Sequence, residues 1–266
     1  MQTLSEYSAN YRPAATALLA LADRPTITHV RPGGPAARAG LAAGDRIVAI
    51  DGAETVLVHP AAAAGTTADT DAVRDRLDIA LVDGRAELVI DRGGVPMAIG
   101  LRPVAACHAR FEVRAGGSDN ASAGRVRVQI SSGLVDPARR EEDLAPLVAH
   151  ELAHVVLEHD SALRPYRGVL LPGLGRGGRA LRGAELAADR LSVYLLEMAG
   201  YRSEAAIDFW SVAARRRDSG IFSNRTHPAW RDRVAAIRFE VARVAERRSA
   251  GQGVLPPADL LVTPSE

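Results

Sequence analysis

Residues 26–52 read TITHVRPGGPAARAGLAAGDRIVAIDG. Apolar and polar side chains alternate in TITHV and again in DRIVAID, the period of a half-buried strand. RPGGP punctuates the first strand, AARAG supplies one helical turn closed by glycine, and Asp51-Gly52 ends the second strand. Apolar positions 73, 77, 80 and 81 then follow helical spacing within residues 71–84. AELVIDR and VPMAIGLRP predict two strands joined as a hairpin through Gly93 and Gly94. This order predicts a small, partly open β-barrel with a capping helix.

Beyond residue 108 the pattern lengthens. RVRVQI alternates as a strand, and residues 137–160 read as one helix. Glu141, Glu142 and Asp143 sit in its first turns, where the helix dipole favours acid, and Pro146 lies early enough to be tolerated. Residues 164–183 are rich in glycine and arginine and are expected to be mobile. AELAADRLSVYLLEMAG (184–200) is a strong helical run stopped at Gly200. EAAIDFWSVAARRRD and AWRDRVAAIRFEVARVAERR predict two more helices before a proline-containing tail. The fold class is therefore α+β, divided into a segment 1–23, a small β domain 24–105, a mostly helical domain 106–248 and a tail 249–266. No internal repeat is present.

Composition narrows the function. The 266 residues carry 33 basic and 32 acidic side chains, so no global field attracts a polyanion. Nucleic acid is therefore excluded as the expected partner. Every basic residue is arginine, which we read as a compositional habit. Cys107 is the single cysteine, so neither an internal disulfide nor a cysteine-based zinc site can form, and a small buried hydrophobe is its expected role. No apolar run approaches the roughly eighteen residues that would span a bilayer. MQTLSEYSANYRP lacks the basic and apolar regions of a signal peptide. Either the protein stays in the cytoplasm or the chain begins after its export signal.

The candidate chemistry lies in LVAHELAHVVLEHD, residues 147–160. His150, Glu151 and His154 form H-E-x-x-H. Residues four apart on a helix differ by about 40° and 6 Å of rise, so both imidazoles can reach one ion. Glu151 can then act as base toward water at the metal. His159 lies nine positions after His150, about 900° around a continuous helix, and is expected to point away into solvent or to sit at the helix C-terminus. Glu158 has no stronger claim. The acidic candidates for a third ligand are Glu185 and Asp189, four apart on one helical face. Glu185 is chosen as the ligand. Asp189 either orients a histidine through its distal N–H or forms a structural ion pair with an arginine.

Two resemblances extend this reading. VRPGGPAARAGLAAGDRIVAIDG is similar to the PGSPA, AGL and GDxIxxxDG elements of bacterial protease-associated PDZ domains. That resemblance implies a peptide partner added as a strand to a sheet edge, with residues 16–25, TALLALADRP, in the place of the carboxylate-binding segment; a spacer or lid is the other role open to it. NASAG, ISSGLVD, VAHELAHVVLEH, AELAADRLSVYLLEMAGY and THPAWRDR, in that order, resemble the zinc metallopeptidase family of HtpX, BepA and the CAAX prenyl proteases, over about residues 108–245. This resemblance implies a gluzincin domain with one zinc ion on His150, His154 and Glu185, and Glu151 as general base. It further implies that His227 steadies a developing oxyanion, that Arg233 supports the site, and that Asn120 and Ala121 hold extended substrate.

The expected function is a zinc metalloendopeptidase acting on unfolded or misassembled envelope proteins, with the PDZ-like domain selecting or gating them and residues 164–183 placed where a lid could sit. The alternatives are a latent or non-cleaving binding or chaperone-like module that keeps the metal site, and a regulator held in an envelope complex through its PDZ edge. The family resemblance places the protein in the periplasm or cell envelope.

Overall fold

The computed structural model describes residues 1–22, 24–55, 65–116, 120–166, 175–217 and 228–261. The chain divides into two compact units, Met1–Ala106 and Cys107–Glu266.

In the first unit, α1 (Arg12–Leu19) ends at Ala20 in the left-handed region, and α2 (Pro35–Arg38) starts with proline, whose fixed φ suits a first helical position. Strands β1 (Arg46–Ile50), β2 (Ala53–Glu54), β3 (Ala86–Arg92) and β4 (Val95–Leu101) form one antiparallel sheet in the order β2-β1-β3-β4. Two tight turns set its registers. Asp51 and Gly52 have φ of 47° and 75°, and Gly93 and Gly94 have 61° and 89°, the doubly positive pattern that matches the twist of paired strands. Helix α3 (Ala68–Ala80) places Val73 against the buried Ile47, Ile50, Leu88, Ile90, Ile99 and Leu101.

TITHV does not form the full strand that its alternation predicts. Thr26 bridges Gln2 on one side and Arg46 on the other, the Ile27 N–H donates to the Asp45 carbonyl, and regular pairing stops there. Pro32, Gly33 and Gly34 follow, and Gly33 takes a φ of 67°, so the chain turns into α2 instead of extending the ladder. Among the described residues the architecture is an open four-stranded sheet with a covering helix, not a closed barrel.

In the second unit, β5 (Arg110–Arg114), β6 (Ala121–Ala123) and β7 (Arg127–Ser131) form a sheet of order β5-β7-β6, with β5 parallel and β6 antiparallel to β7. After α4 (Ser132–Val135) come α5 (Ala145–Val156), α6 (His159–Ala162), α7 (Gly175–Met198), α8 (Glu204–Arg217) and α9 (Trp230–Ser249). Val128 and Ile130 of β7 pack on Leu147, Val148 and Val155 of α5. Val193, Tyr194, Leu196, Ala206, Trp210, Val234, Ile237 and Val244 join α7, α8 and α9 in the largest core. The wholly buried Glu240 of α9 accepts hydrogen bonds of 2.7 Å from Arg190 and from the Tyr194 hydroxyl, which satisfies its charge.

Two helical expectations are corrected. The single helix expected over 137–160 is three pieces: a short 3-10 turn (Glu141–Asp143), α5 and α6. Glu158 takes a φ of 51°, which no helix interior tolerates, and this breaks the run before His159. The helix expected from 184 instead begins at Gly175. Gly177 lies beside the Tyr166 ring, where an added Cβ would make an ordinary contact at 3.4 Å. Propagation from the strongly helical part outweighs a glycine cost of about 1 kcal/mol per residue.

Candidate metal centre

Helices α5 and α7 cross on small residues. Ala153 and Ala188 are completely buried at their contact, beside Leu157 and Leu191, so the two backbones approach closely and turn His150, His154 and Glu185 toward one point. The His150 and His154 Nε2 atoms lie 3.1 Å apart. Glu185 places one carboxylate oxygen 3.5 Å from the His150 Nε2 and the other 3.5 Å from the His154 Nε2. Donor atoms held about 2.05 Å from a tetrahedral ion stand about 3.3 Å from each other. The three side chains thus bring two imidazole nitrogens and one carboxylate within 4.8 Å of one another, and they are the group among the described residues that could hold a metal ion.

A further layer of residues surrounds these three side chains. Asp189, one turn after Glu185 on α7, is wholly buried, and its Oδ1 lies 3.0 Å from the His150 Nδ1. Arg233 of α9 grips the same carboxylate with two bonds of 2.7 and 2.8 Å. The guanidinium also lies 3.7 Å above the Trp210 ring, and that ring packs edge-on against His150. Of the two roles foreseen for Asp189, the ion pair with an arginine is formed, and the His150 ring nitrogen stands 3.0 Å from the same carboxylate. Burial opposes its charge, but Arg233 and His150 outweigh burial and hold the carboxyl below the ordinary range.

In the metal-free protein the histidines titrate apart. Burial disfavours the charged His150 ring, yet Asp189 and Glu185 outweigh it and push the pKa up to about 9. Burial, reinforced by the charge on His150, pushes His154 down to about 3. Burial likewise takes His159 down to about 4.

His159 is the main correction at the site. It was expected to face solvent, but it is only 4 % exposed, and its Nδ1 lies 2.9 Å from the Nδ1 of His154. The 900° rotation holds only for an unbroken helix. The left-handed Glu158 redirects the chain, and α6 returns His159 to the back of His154.

Glu151 follows His150 on α5 and is largely buried. Asn120 is exposed and directly precedes β6, where its N–H donates to the Ser131 hydroxyl at 3.0 Å. Ala121 is half-buried on β6 and packs in the same cluster as α5 residues Leu147 and Val148. β6 pairs with β7 alone among the described strands and so forms an edge beside α5. His227 lies outside the described residues, as do residues 167–174 of the segment expected to form a lid, whereas its residues 175–183 belong to α7. Trp210 is the site residue that sequence reasoning missed; it carried a faint signal, as one of only two tryptophans, while His159 was weighed and placed away from the site.

Comparison with known families adds one finding. Residues 26–92 match the PDZ domain family. No curated protein matches the chain. The PDZ domain includes Thr26 at its start, and Thr26 exchanges two 2.8 Å backbone hydrogen bonds with Gln2. TALLALADRP, expected beside the peptide edge, instead lies partly in helix α1. Such a domain suits the binding of proteins or peptides. No helix among the described residues is long and apolar enough to cross a membrane.

Proposed function

We propose that the chain is a zinc-dependent metalloendopeptidase whose PDZ domain recruits or gates protein substrates. The observation that carries this reading is the convergence of His150, His154 and Glu185 within 4.8 Å of one another, with Glu151 on the same helix as the two histidines. Two imidazoles and one carboxylate, leaving one position open, form a ligand set of catalytic and not purely structural zinc.

When bound, zinc supplies Lewis-acid chemistry, acidifying water and polarising a peptide carbonyl. Glu151 takes the proton of the attacking water and returns it to the leaving amine. Asp189 keeps His150 in the orientation that presents Nε2, and Arg233 keeps Asp189 ionised and fixed. The β6 edge, with Asn120 and Ala121 at its start, offers backbone groups to an extended chain. His227 is assigned to the developing oxyanion by the family resemblance alone. The same resemblance favours unfolded envelope proteins as substrates.

A second reading rests on the PDZ match: a peptide-binding module that retains its metal but cleaves nothing. Hydrolysis of casein by zinc-loaded wild type and by Glu151→Gln separates the two. Cleavage by the wild type, with a loss of about 100-fold or more in the variant at equal zinc content, supports the peptidase. Equal inactivity of two zinc-loaded proteins supports the binding module.

A further inference from the structure

His150 has a carboxylate behind it, and the corresponding place behind His154 belongs to His159. We infer that His159 is the positioning residue that sets the tautomer and ring orientation of His154 for metal binding. This inference rests on the metal reading above and adds to it a residue that the H-E-x-x-H pattern does not contain.

His154 presents Nε2 toward His150 and Glu185. A neutral imidazole that offers Nε2 as a lone pair must carry its proton on Nδ1. That atom lies 2.9 Å from the His159 Nδ1. The proton on the His154 Nδ1 is thus donated to a lone pair on the His159 Nδ1, and His159 holds its own proton on Nε2. The rings meet edge to face, with centroids 4.9 Å apart and planes at 71°, which restricts rotation of His154 about its last torsion. Three features of the chain produce this contact: the end of α5 at Val156, the left-handed Glu158, and the start of α6 at His159 itself. An acceptor in this place keeps His154 ready to bind before the ion arrives, and such partners typically contribute 10- to 100-fold to metal affinity.

The contrast with Asp189 is chemical. His150 is backed by a charged acceptor pinned by Arg233, whereas His154 is backed by a neutral one. The two ligands therefore differ in donor strength, with His150 the stronger.

The test uses the full chain and two substitutions, His159→Leu, which removes the acceptor, and His159→Gln, whose amide oxygen can replace it. Zinc affinity is measured by competition with a chromophoric chelator, and the His154 side-chain nitrogens are followed by 15N NMR. The expected results are affinity about 10- to 100-fold weaker in His159→Leu, recovery of most of that loss in His159→Gln, and a His154 proton on Nδ1 in the wild type. A purely structural role would lower thermal stability in both variants without this split in affinity. Wild-type affinity in His159→Leu overturns the inference and leaves the metal reading standing. A His154 proton on Nε2 in the wild type also overturns it, even if His159→Leu fails to fold. A wild type that binds no zinc overturns the metal reading and this inference together.

Discussion

At the scale of single residues, the site is organised by where protons sit. His150 is held charged in the metal-free protein by Asp189 and Glu185, against the cost of burial, with a pKa of about 9 compared with an ordinary 6.5. Its stabilising contribution is complete below pH 6.5 and is lost as pH rises through about 9. His154 and His159 have depressed values of about 3 and 4. Their contribution is present above the ordinary 6.5 and is lost as pH falls toward those values. Denaturation of the metal-free protein in urea should therefore give a stability maximum near pH 6.5 and a decline toward pH 9. The proposed zinc binding would have the opposite slope, because His150 would release its proton to coordinate. Affinity should rise about tenfold per pH unit from 7 to about 9, with one proton released per ion. A pH-independent affinity over that range would contradict the raised pKa of His150.

At the scale of elements, the centre depends on how closely α5 and α7 approach. Ala153 and Ala188 have no exposed surface at this crossing. Replacing Ala188 with leucine overpacks the contact and should cost about 1 to 3 kcal/mol of stability. It should also separate Glu185 from the two histidines and weaken zinc binding, measured by chelator competition on the folded variant. Unchanged affinity would mean that the helix crossing does not set the ligand spacing.

This is also the scale at which the sequence was most legible. The spacing of His150 and His154, and of Glu185 and Asp189, is a local consequence of helical periodicity, so the pattern of residues sufficed to place each pair on one face. The Gly93-Gly94 hairpin was equally local. What escaped depended on events that periodicity does not encode. One left-handed residue, Glu158, reverses the predicted direction of His159. The pairing of Thr26 with Gln2 joins distant positions, and α7 extends through a glycine-rich stretch back to Gly175. Arg233 could be named from the family resemblance. Its grip on Asp189 and its stacking on Trp210 required α8 and α9 to be in place.

At the scale of the whole molecule, the chain joins a PDZ domain within its first compact unit to a helical unit that carries the proposed zinc centre. The peptide binding that a PDZ domain suggests and the proposed chemistry thus fall in separate folded parts. The central claim is that the second unit holds a zinc ion on His150, His154 and Glu185. Zinc K-edge X-ray absorption on the full chain loaded with one equivalent of zinc, beside the same measurement on Glu185→Ala, tests it most directly. The account predicts one bound ion with two imidazoles and a carboxylate oxygen at about 2.0 to 2.2 Å, and loss of that oxygen with weaker binding in the variant. A zinc environment without imidazole, or one unchanged by Glu185→Ala, would contradict it.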